Sequence, residues 1–474
     1  MPSSVPPGLP HVLRSLVYLS APFLAVYVFS YFVKIPTWAF LVLQTVCLPI
    51  YLVACVKIKD FRGRRAAAHL GAIPPPSHDG ESLGNIDILV KFQRIYKQGF
   101  LGDGVSEAHA ELGGTFNLSI LWDTTTVTND VNVIKTVLAT DFNNYVKGNF
   151  FQAFMYSVLG TGVFNADGMG CGCDFHCGAR SITHNSQTPQ ARCGNAALHK
   201  MKERLVEGHA IDFQKAMQDL VSRFTLDSAS EFLFGKCVNV LESPLPYPPQ
   251  TPEASRQEEV LTLADKFARA FSRAQDTIAH RGRLGYIWPW LEIFNDKTGE
   301  DMEIVDSFLN PILEDALEKQ RAEKKAGLWQ DAKSDEVNDQ DTFLDHLVRT
   351  TTDSQVIHDE ILNILIAGRD TTAGTLTFAV YFLCMYPRVL ERLRKEVLET
   401  VGYSRRPDYD DIKSMKYLRA FLNEVLRLYP AVPFNVRYAV NDTTVPNPDP
   451  TGRPFFVAAG QPKDYWGPDA PLSG

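Results

Sequence analysis

The sequence predicts a mainly α-helical fold with a small β-sheet, carried behind an N-terminal membrane anchor. Three observations lead there: an uncharged run of nineteen residues near the start, a succession of segments with helical apolar spacing, and one short alternating stretch of hairpin type. With 474 residues, 45% hydrophobic and 11% aromatic, the chain is able to bury an extensive core. The same figures exclude intrinsic disorder, and 31 Gly and 29 Pro without a period exclude collagen-like and low-complexity classes. Acidic side chains outnumber basic ones by 55 to 47, a formal net charge of −8. No basic stripe interleaved with aromatics opposes that balance, so nucleic acid is not an expected partner.

The anchor occupies residues 1–56. Ser15 to Val33 carries no charge, and at about 1.5 Å per residue it matches the roughly 30 Å hydrocarbon core of a bilayer. A second apolar stretch, Ile35 to Val56, is interrupted by Pro36, Gln44 and Pro49, which leaves either two spans or one span with a re-entrant neighbour. A cleaved signal peptide fits less well, because the apolar region is too long for one. Lys57, Lys59, Arg62, Arg64 and Arg65 follow at once. Such a basic flank marks the cytoplasmic side, so everything downstream is expected in the cytosol, with these charges against lipid headgroups or simply solvated. Pro74, Pro75 and Pro76 then stiffen a basic and Pro-rich linker, residues 57–83.

The body, residues 84–474, reads as one large, mostly α domain. Thr115 to Trp122 alternates, with Phe116, Leu118 and Ile120 on one face, and Thr124 to Thr128 supplies a second strand. Helical periodicity follows at Val131 to Leu138, Leu198 to Leu205, Phe213 to Phe234, Leu261 to Ala279, Val305 to Lys325 and Phe343 to Thr350. It continues at Val356 to Tyr386, Pro387 to Thr400 and Tyr417 to Tyr429. Ser243 to Pro252 and the acidic Asp331 to Asp341 are surface connections, too short to separate domains.

Two helices carry candidate chemistry. Val356 to Tyr386 is apolar on nearly all sides and so belongs in a core, with Ala367-Gly368-Arg369-Asp370-Thr371-Thr372 at its middle. Gly368 and the threonines weaken the helix, and a threonine hydroxyl bonded back to a carbonyl opens a groove in which an acid beside an alcohol relays protons. The plainer alternative is that the threonines satisfy themselves on the backbone while Asp370 pairs with a cation. In Tyr417 to Tyr429, the residues Leu418, Phe421, Leu422, Val425 and Leu428 form the buried stripe, with Glu424 and Arg427 at pairing distance on the flank. That pair is either a solvated surface contact or something more.

Together, in this order and behind such an anchor, these elements resemble the cytochrome P-450 family of heme-thiolate monooxygenases over most of residues 84 to 470. The resemblance implies a heme cofactor and electrons from NADPH, delivered by a membrane-bound flavin reductase. It places Ala367 and Gly368 in the long central helix over the heme, and gives Asp370 and Thr371 the role of assisting oxygen protonation. It makes Glu424 and Arg427 a buried clamp and brings Arg437 to a heme propionate. Leu138-Ala139-Thr140-Asp141-Phe142 and Trp466-Gly467-Pro468-Asp469-Ala470 are similar to a fungal branch acting on alkanes and fatty acids, hence a long apolar substrate. The anchor and its flank put the body at the cytosolic face of the endoplasmic reticulum membrane.

Two stretches depart from that pattern. The family's proximal ligand is a cysteine thiolate from a loop well after the clamp. No cysteine follows Cys384 here, and Gly474 comes shortly after Trp466-Gly467-Pro468-Asp469. The expectation is a C-terminally truncated copy, inactive as it stands, or a non-enzymatic, membrane-anchored pseudoenzyme or interaction protein. The second departure, residues 169–195, is an irregular Cys- and Gly-rich segment after which a helix is expected from Ala196. Its Cys171, Cys173, His176, Cys177, His184 and Cys193 are donors that zinc accepts, but the spacing fits no paired C-x2-C template. A misread segment is the preferred reading, and no metal ligand is assigned. The eight cysteines show no disulfide framework, which points to a reducing compartment.

Overall fold

The computed structural model describes residues 6–98, 102–167, 187–209, 211, 217–248, 251–252, 261–326, 342–449, 452–460 and 462–466. Cys171 to His184 and the whole acidic connection Asp331 to Asp341 lie outside the described residues, as does the start of the segment Phe213 to Phe234.

Both apolar stretches are helices, α1 (Gly8–Phe32) and α2 (Thr37–His69), each long and apolar enough to cross a membrane. They lie side by side, and Gln44, the polar interruption, donates Nε2 to the Phe23 carbonyl at 3.3 Å. Tyr18, Tyr31, Phe32 and Trp38 remain largely exposed, as side chains facing lipid must. α2 does not stop at Val56. It continues through Lys57 to Arg65, so the basic run expected in a linker is helical. Nor is the Pro run a free spacer: the Ile73 N–H donates to Pro454 at 3.0 Å and the Pro76 carbonyl accepts from Asn117 at 2.7 Å. The start of α1 returns to the body, where the Gly8 N–H meets the Glu292 carbonyl at 3.2 Å. A Cβ on Gly8 would stand 2.0 Å from the Pro289 carbonyl oxygen, so only glycine allows the approach.

Contacts divide the chain into two compact units, Met1–Ala153 with His280–Lys297 and Pro433–Gly474, and Phe154–Ala279 with Thr298–Val432. The first holds all the strands. After β1 (Ser77–His78), α3 (Ile86–Gln98) and α4 (Asp103–Leu112) come β2 (Thr115–Ile120) and β3 (Asp123–Thr128), the hairpin read from the alternation. Its two-residue turn places Leu121 and Trp122 at φ +49° and +63°, the left-handed pair that matches the twist of the strands. Then follow α5 (Val131–Lys135), β4 (Tyr145–Val146), β5 (Phe434–Ala439), β6 (Thr443–Val445), β7 (Phe455–Val457) and β8 (Pro462–Trp466). The larger sheet runs β1-β2-β3-β8-β5-β4, and β6 pairs with β7 apart from it. Phe116, Val127, Val105 and Ala108 fill one small core, and Val133, Tyr145, Ala439 and Val457 another.

The second unit is helical. It begins within α6 (Gly148–Leu159) and contains α7 (Gln187–Val206), α8 (Gln218–Phe234), most of α9 (Leu263–Leu284), α10 (Gly299–Lys325) and α11 (Phe343–Thr350). It continues through α12 (Ser354–Met385), α13 (Pro387–Val401), α14 (Tyr409–Ser414) and α15 (Lys416–Leu428). α7 starts nine residues before the expected Ala196, so the end of the irregular segment is helical. The connection after α8 is not wholly superficial, because Leu245 is buried and its carbonyl accepts from Arg204. Thr342 and Asp345 form a capping box on α11, and Asp353 caps α12 through the Gln355 N–H at 2.9 Å. One core joins Leu226 and Leu233 of α8, Phe267 and Phe271 of α9, Leu309 of α10, Phe343 of α11 and Ile361 and Leu365 of α12.

Polar side chains on the first half of α12 hold the loop after α6. Asp359 accepts from the Thr161 N–H at 2.8 Å, and Asn363 bonds the Leu159 carbonyl and the Phe164 N–H, both at 2.9 Å. His358 lies between Asp306 (3.0 Å) and Asp359 (3.3 Å). Burial by itself would push this imidazole down, but the two carboxylates outweigh it and bring its pKa up to about 9.

Two predictions follow from this architecture. A group raised from an ordinary 6.5 to about 9 contributes stability that is complete below 6.5 and lost as pH climbs through 9. Chemical denaturation midpoints of the detergent-solubilised chain therefore fall between pH 6.5 and 9, and His358→Gln flattens that dependence. Equal slopes in the two proteins would remove His358 from the account. Because α1 and α2 form a hairpin whose start touches the body, an N-terminal epitope and the body share one side of the membrane. Protease added to sealed microsomes should cut both or neither.

Candidate active site

α12 changes character at its middle. Between Ile357 and Leu365 every residue except His358 is buried, whereas from Ile366 to Leu376 only Arg369 is. An all-round apolar helix was expected inside a core, yet its central turns are only partly covered, with Ala229 of α8 against Gly368 and Ala431 against Gly374. Apolar side chains left uncovered in this way line a surface for an apolar ligand.

On this open stretch the Thr371 Oγ1 donates to the Ala367 carbonyl at 2.7 Å, and the Thr375 Oγ1 to the Thr371 carbonyl at 2.9 Å. Both hydroxyls are thus satisfied one turn back, while their oxygens keep lone pairs free; the plainer alternative named Thr371 and Thr372, and the back-bonded pair is Thr371 and Thr375. Residues at 100° spacing place Ala367, Asp370 and Thr371 on one side of the helix, continued by Gly374 and Phe378. Phe378 stacks on Tyr429 with centroids 4.2 Å apart, just beyond α15. Gly368 lies further round, where a Cβ would meet Ala229 of α8 at 3.6 Å, so it does not share the side of Ala367 and Thr371.

Asp370 finds its cation next door, with its Oδ1 3.6 Å from Nη1 of Arg369. Loss of hydration pushes its carboxyl above the ordinary range, Arg369 pulls it down and Asp276 pushes it up again. Water still reaches the group, since 41% of the side chain is exposed. Arg369 itself is buried, donates Nη2 to Ser222 of α8 at 2.7 Å, and lies 5.8 Å from the Phe271 ring. Sequence spacing does not reveal this arrangement, because a lone arginine on an apolar helix carries no mark of where it is buried.

The Glu424–Arg427 pair forms as the spacing required, with Nε–Oε2 at 2.8 Å and Nη2–Oε1 at 2.7 Å, and the bond from Arg427 holds the Glu424 carboxyl low. It is not the buried clamp that was expected: the side chains are 53% and 35% exposed. Of the stripe expected to be buried on α15, only Val425 is fully so; Leu418, Phe421 and Leu422 are half-buried and Leu428 is exposed, because the packing of α15 on α12 and α13 covers that face only in part. Arg437 sits on β5 in the first unit, its Nη1 bonded to Asn435 Oδ1 (2.5 Å) and the Val436 carbonyl (2.8 Å), with no carboxylate partner among the described residues.

The fold and this site define a class: a mainly helical protein with two apolar N-terminal helices, whose long central helix carries an acid–alcohol pair on an open apolar side. The cytochrome P450 family model matches residues 82–451. Cytochrome P450 monooxygenase pvhE of Talaromyces variabilis is 31% identical over 437 residues, 87% of this chain and 72% of that protein. Cytochrome P450 52E1 of Candida apicola is 33% identical over 364 residues, and cytochrome P450 52A3-B of Candida maltosa 34% over 370. In both cases 73% of this chain is aligned and 65% of the relative, so the chain spans just under two thirds of these yeast proteins. The chain belongs to the cytochrome P450 family.

Heme is the cofactor of that family, reduced through an NADPH-dependent reductase. The uncovered apolar side of α12, with Ala367, Asp370 and Thr371 on it, fits one face of such a group. A sulfur ligand for the other face is not among the described cysteines near that helix: Cys47 and Cys55 are on α2, and Cys193 and Cys237 lie by α7 and α8. Cys384 is exposed, thirteen residues or about 20 Å along α12 from Thr371.

The exposure of Glu424 and Arg427 has a measurable consequence. Arg427→Ala in this chain costs no more than about 1 kcal/mol in urea denaturation, the range of a solvated pair. A loss of about 3–5 kcal/mol would show that the pair is buried in solution.

Proposed function

We propose that the chain is a membrane-anchored monooxygenase that hydroxylates long-chain alkanes or fatty acids at the cytosolic face of the endoplasmic reticulum. One observation carries the reading: a family member presents Ala367, Asp370 and Thr371 together on an open apolar side of its central helix. Likeness to the yeast relatives of group 52, together with the Leu138 to Phe142 stretch, supports the substrate class. The basic continuation of α2 beyond the apolar run supports the orientation.

Bound heme would supply the oxygen-activating chemistry. The chain's own residues do the rest. Asp370, with its carboxyl pushed upward and still wetted, takes a proton from solvent and hands it toward the Thr371 Oγ1. Thr371, anchored on the Ala367 carbonyl, holds that hydroxyl in one orientation and accepts on its free lone pairs. The Ala367 methyl keeps the surface dry beside it. Arg437, which pairs with no described carboxylate, offers its guanidinium to an anionic group such as a propionate.

A second reading, a scaffold without turnover, is favoured by the cysteine positions. No described cysteine stands beside α12's open side.

Both readings are tested in membranes that also contain an NADPH reductase. The protein should hydroxylate hexadecane or palmitate, and Thr371→Ala should raise peroxide release severalfold relative to product. Absence of any product removes the substrate class, and unchanged coupling leaves Thr371 a structural residue. The second reading expects no thiolate-type Soret band from the chain reduced under carbon monoxide. Such a band would dismiss the second reading and require a cysteine ligand from among the eight.

A further inference from the structure

Two cysteines with no place in the monooxygenase reading meet in the second unit. Cys193 stands on α7, Glu231 on the last turn of α8, and Cys237 in the loop just after it. Their ligand atoms, two Sγ and one carboxylate oxygen, all lie within 4.8 Å of one another. Neither thiol is in a disulfide. We propose that Cys193, Cys237 and Glu231 form a binding site for a soft divalent cation of the zinc class.

The spacing suits such an ion. With Zn–S of about 2.3 Å and Zn–O of about 2.0 Å, tetrahedral ligands stand about 3.5 Å apart for a sulfur–oxygen pair and about 3.8 Å for two sulfurs. Cys193 Sγ is 3.8 Å from Glu231 Oε2, a few tenths from that value and within the reach of small side-chain rotations. Arg192 bonds the other oxygen of Glu231, Oε1, which turns Oε2 toward the sulfurs. Metal-bound carboxylates are oriented by outer partners of this kind. Two thiolates and a carboxylate around a divalent ion leave one negative charge, and Arg192 neutralises it.

The surroundings are fixed in advance. Asp227 accepts from the Val240 and Leu241 N–H groups at 2.9 and 3.0 Å, which sets the loop carrying Cys237. The Asn239 N–H donates to the Cys237 sulfur at 3.4 Å. Ser228 lies beside Cys193, and a hydrogen bond from its hydroxyl favours the thiolate that a metal ion would bind. A cavity of about 410 Å³, bordered by His199 and Lys200, opens next to the triad and exposes a fourth coordination position to solvent. An ion here ties α7 to the end of α8. The donors come from positions 193, 231 and 237, so no single sequence window displays them.

The test uses the full chain in detergent under reducing conditions. Cobalt(II) titration should give thiolate-to-cobalt charge-transfer absorption and tetrahedral ligand-field bands at one equivalent. Replacing Cys171, Cys173 and Cys177 together by Ser removes competing thiols and should preserve the signal. In that background Cys237→Ser weakens binding by on the order of a hundredfold, while Glu231→Gln and Arg192→Gln weaken it by about tenfold. X-ray absorption of the zinc-loaded triple variant, whose site is untouched, should find two sulfurs at about 2.3 Å. Loss of the cobalt signal in the triple variant overturns the proposal. So does undiminished binding by Cys237→Ser, a zinc shell without sulfur, or recovery of Cys193 and Cys237 as a metal-free disulfide.

Discussion

Asp359 and Asn363 stand one turn apart on α12, and their side chains take up the backbone groups of the loop that follows α6, from Leu159 to Phe164. These are buried polar groups, and a buried N–H or carbonyl without a partner costs about 1–3 kcal/mol, so the loop has no comparable alternative place to rest. Gly160 and Gly162 answer the same constraint, since a Cβ at either would fall about 2 Å from Asp359 or Asn363. His358 extends the network to Asp306 of α10. Once α12 is held there, its apolar faces collect α8, α9 and α11 into one core.

That anchoring explains why α12 leads a double life. Its first half is packed and polar-clamped. Its middle keeps the same direction with less cover, and so presents Ala367, Asp370 and Thr371 on a half-buried side. Rigid packing at one end and an open surface at the other are the condition for holding an acid and an alcohol in register without closing over them. Arg369 points the opposite way, into α8 and α9, and its burial next to Asp370 couples the site's acid to the core.

The first unit follows a different logic. Its two N-terminal helices are long and apolar enough to cross a membrane, and the N-terminal segment meets the rest of the unit through backbone bonds (Gly8 with Glu292, Ile73 with Pro454, Asn117 with Pro76), a Lys59–Asp123 ion pair at 3.5 Å and the packing of Ala67 and Ala72 on Phe456. Glu292 is itself held by the buried Arg281, with Nε–Oε1 at 3.0 Å and Nη2–Oε2 at 2.6 Å. The carbonyl that accepts from the Gly8 N–H therefore belongs to a residue whose side chain is fixed by a buried ion pair.

Helix existence, the hairpin and the two apolar anchors were legible in the sequence, because periodicity and hydropathy are local properties. So was the Glu424–Arg427 pair, whose three-residue spacing forces it on any helix, and so were Asp370 and Thr371 as an adjacent acid and alcohol. Burial was not legible. Whether Glu424 and Arg427 are enclosed, whether α12 is covered at its middle, and which way Gly368 and Arg369 face depend on which distant segments come to lie against them. Tertiary structure alone brought Cys193, Glu231 and Cys237 together, since a ligand set depends on side-chain geometry between helices rather than on any repeat along the chain.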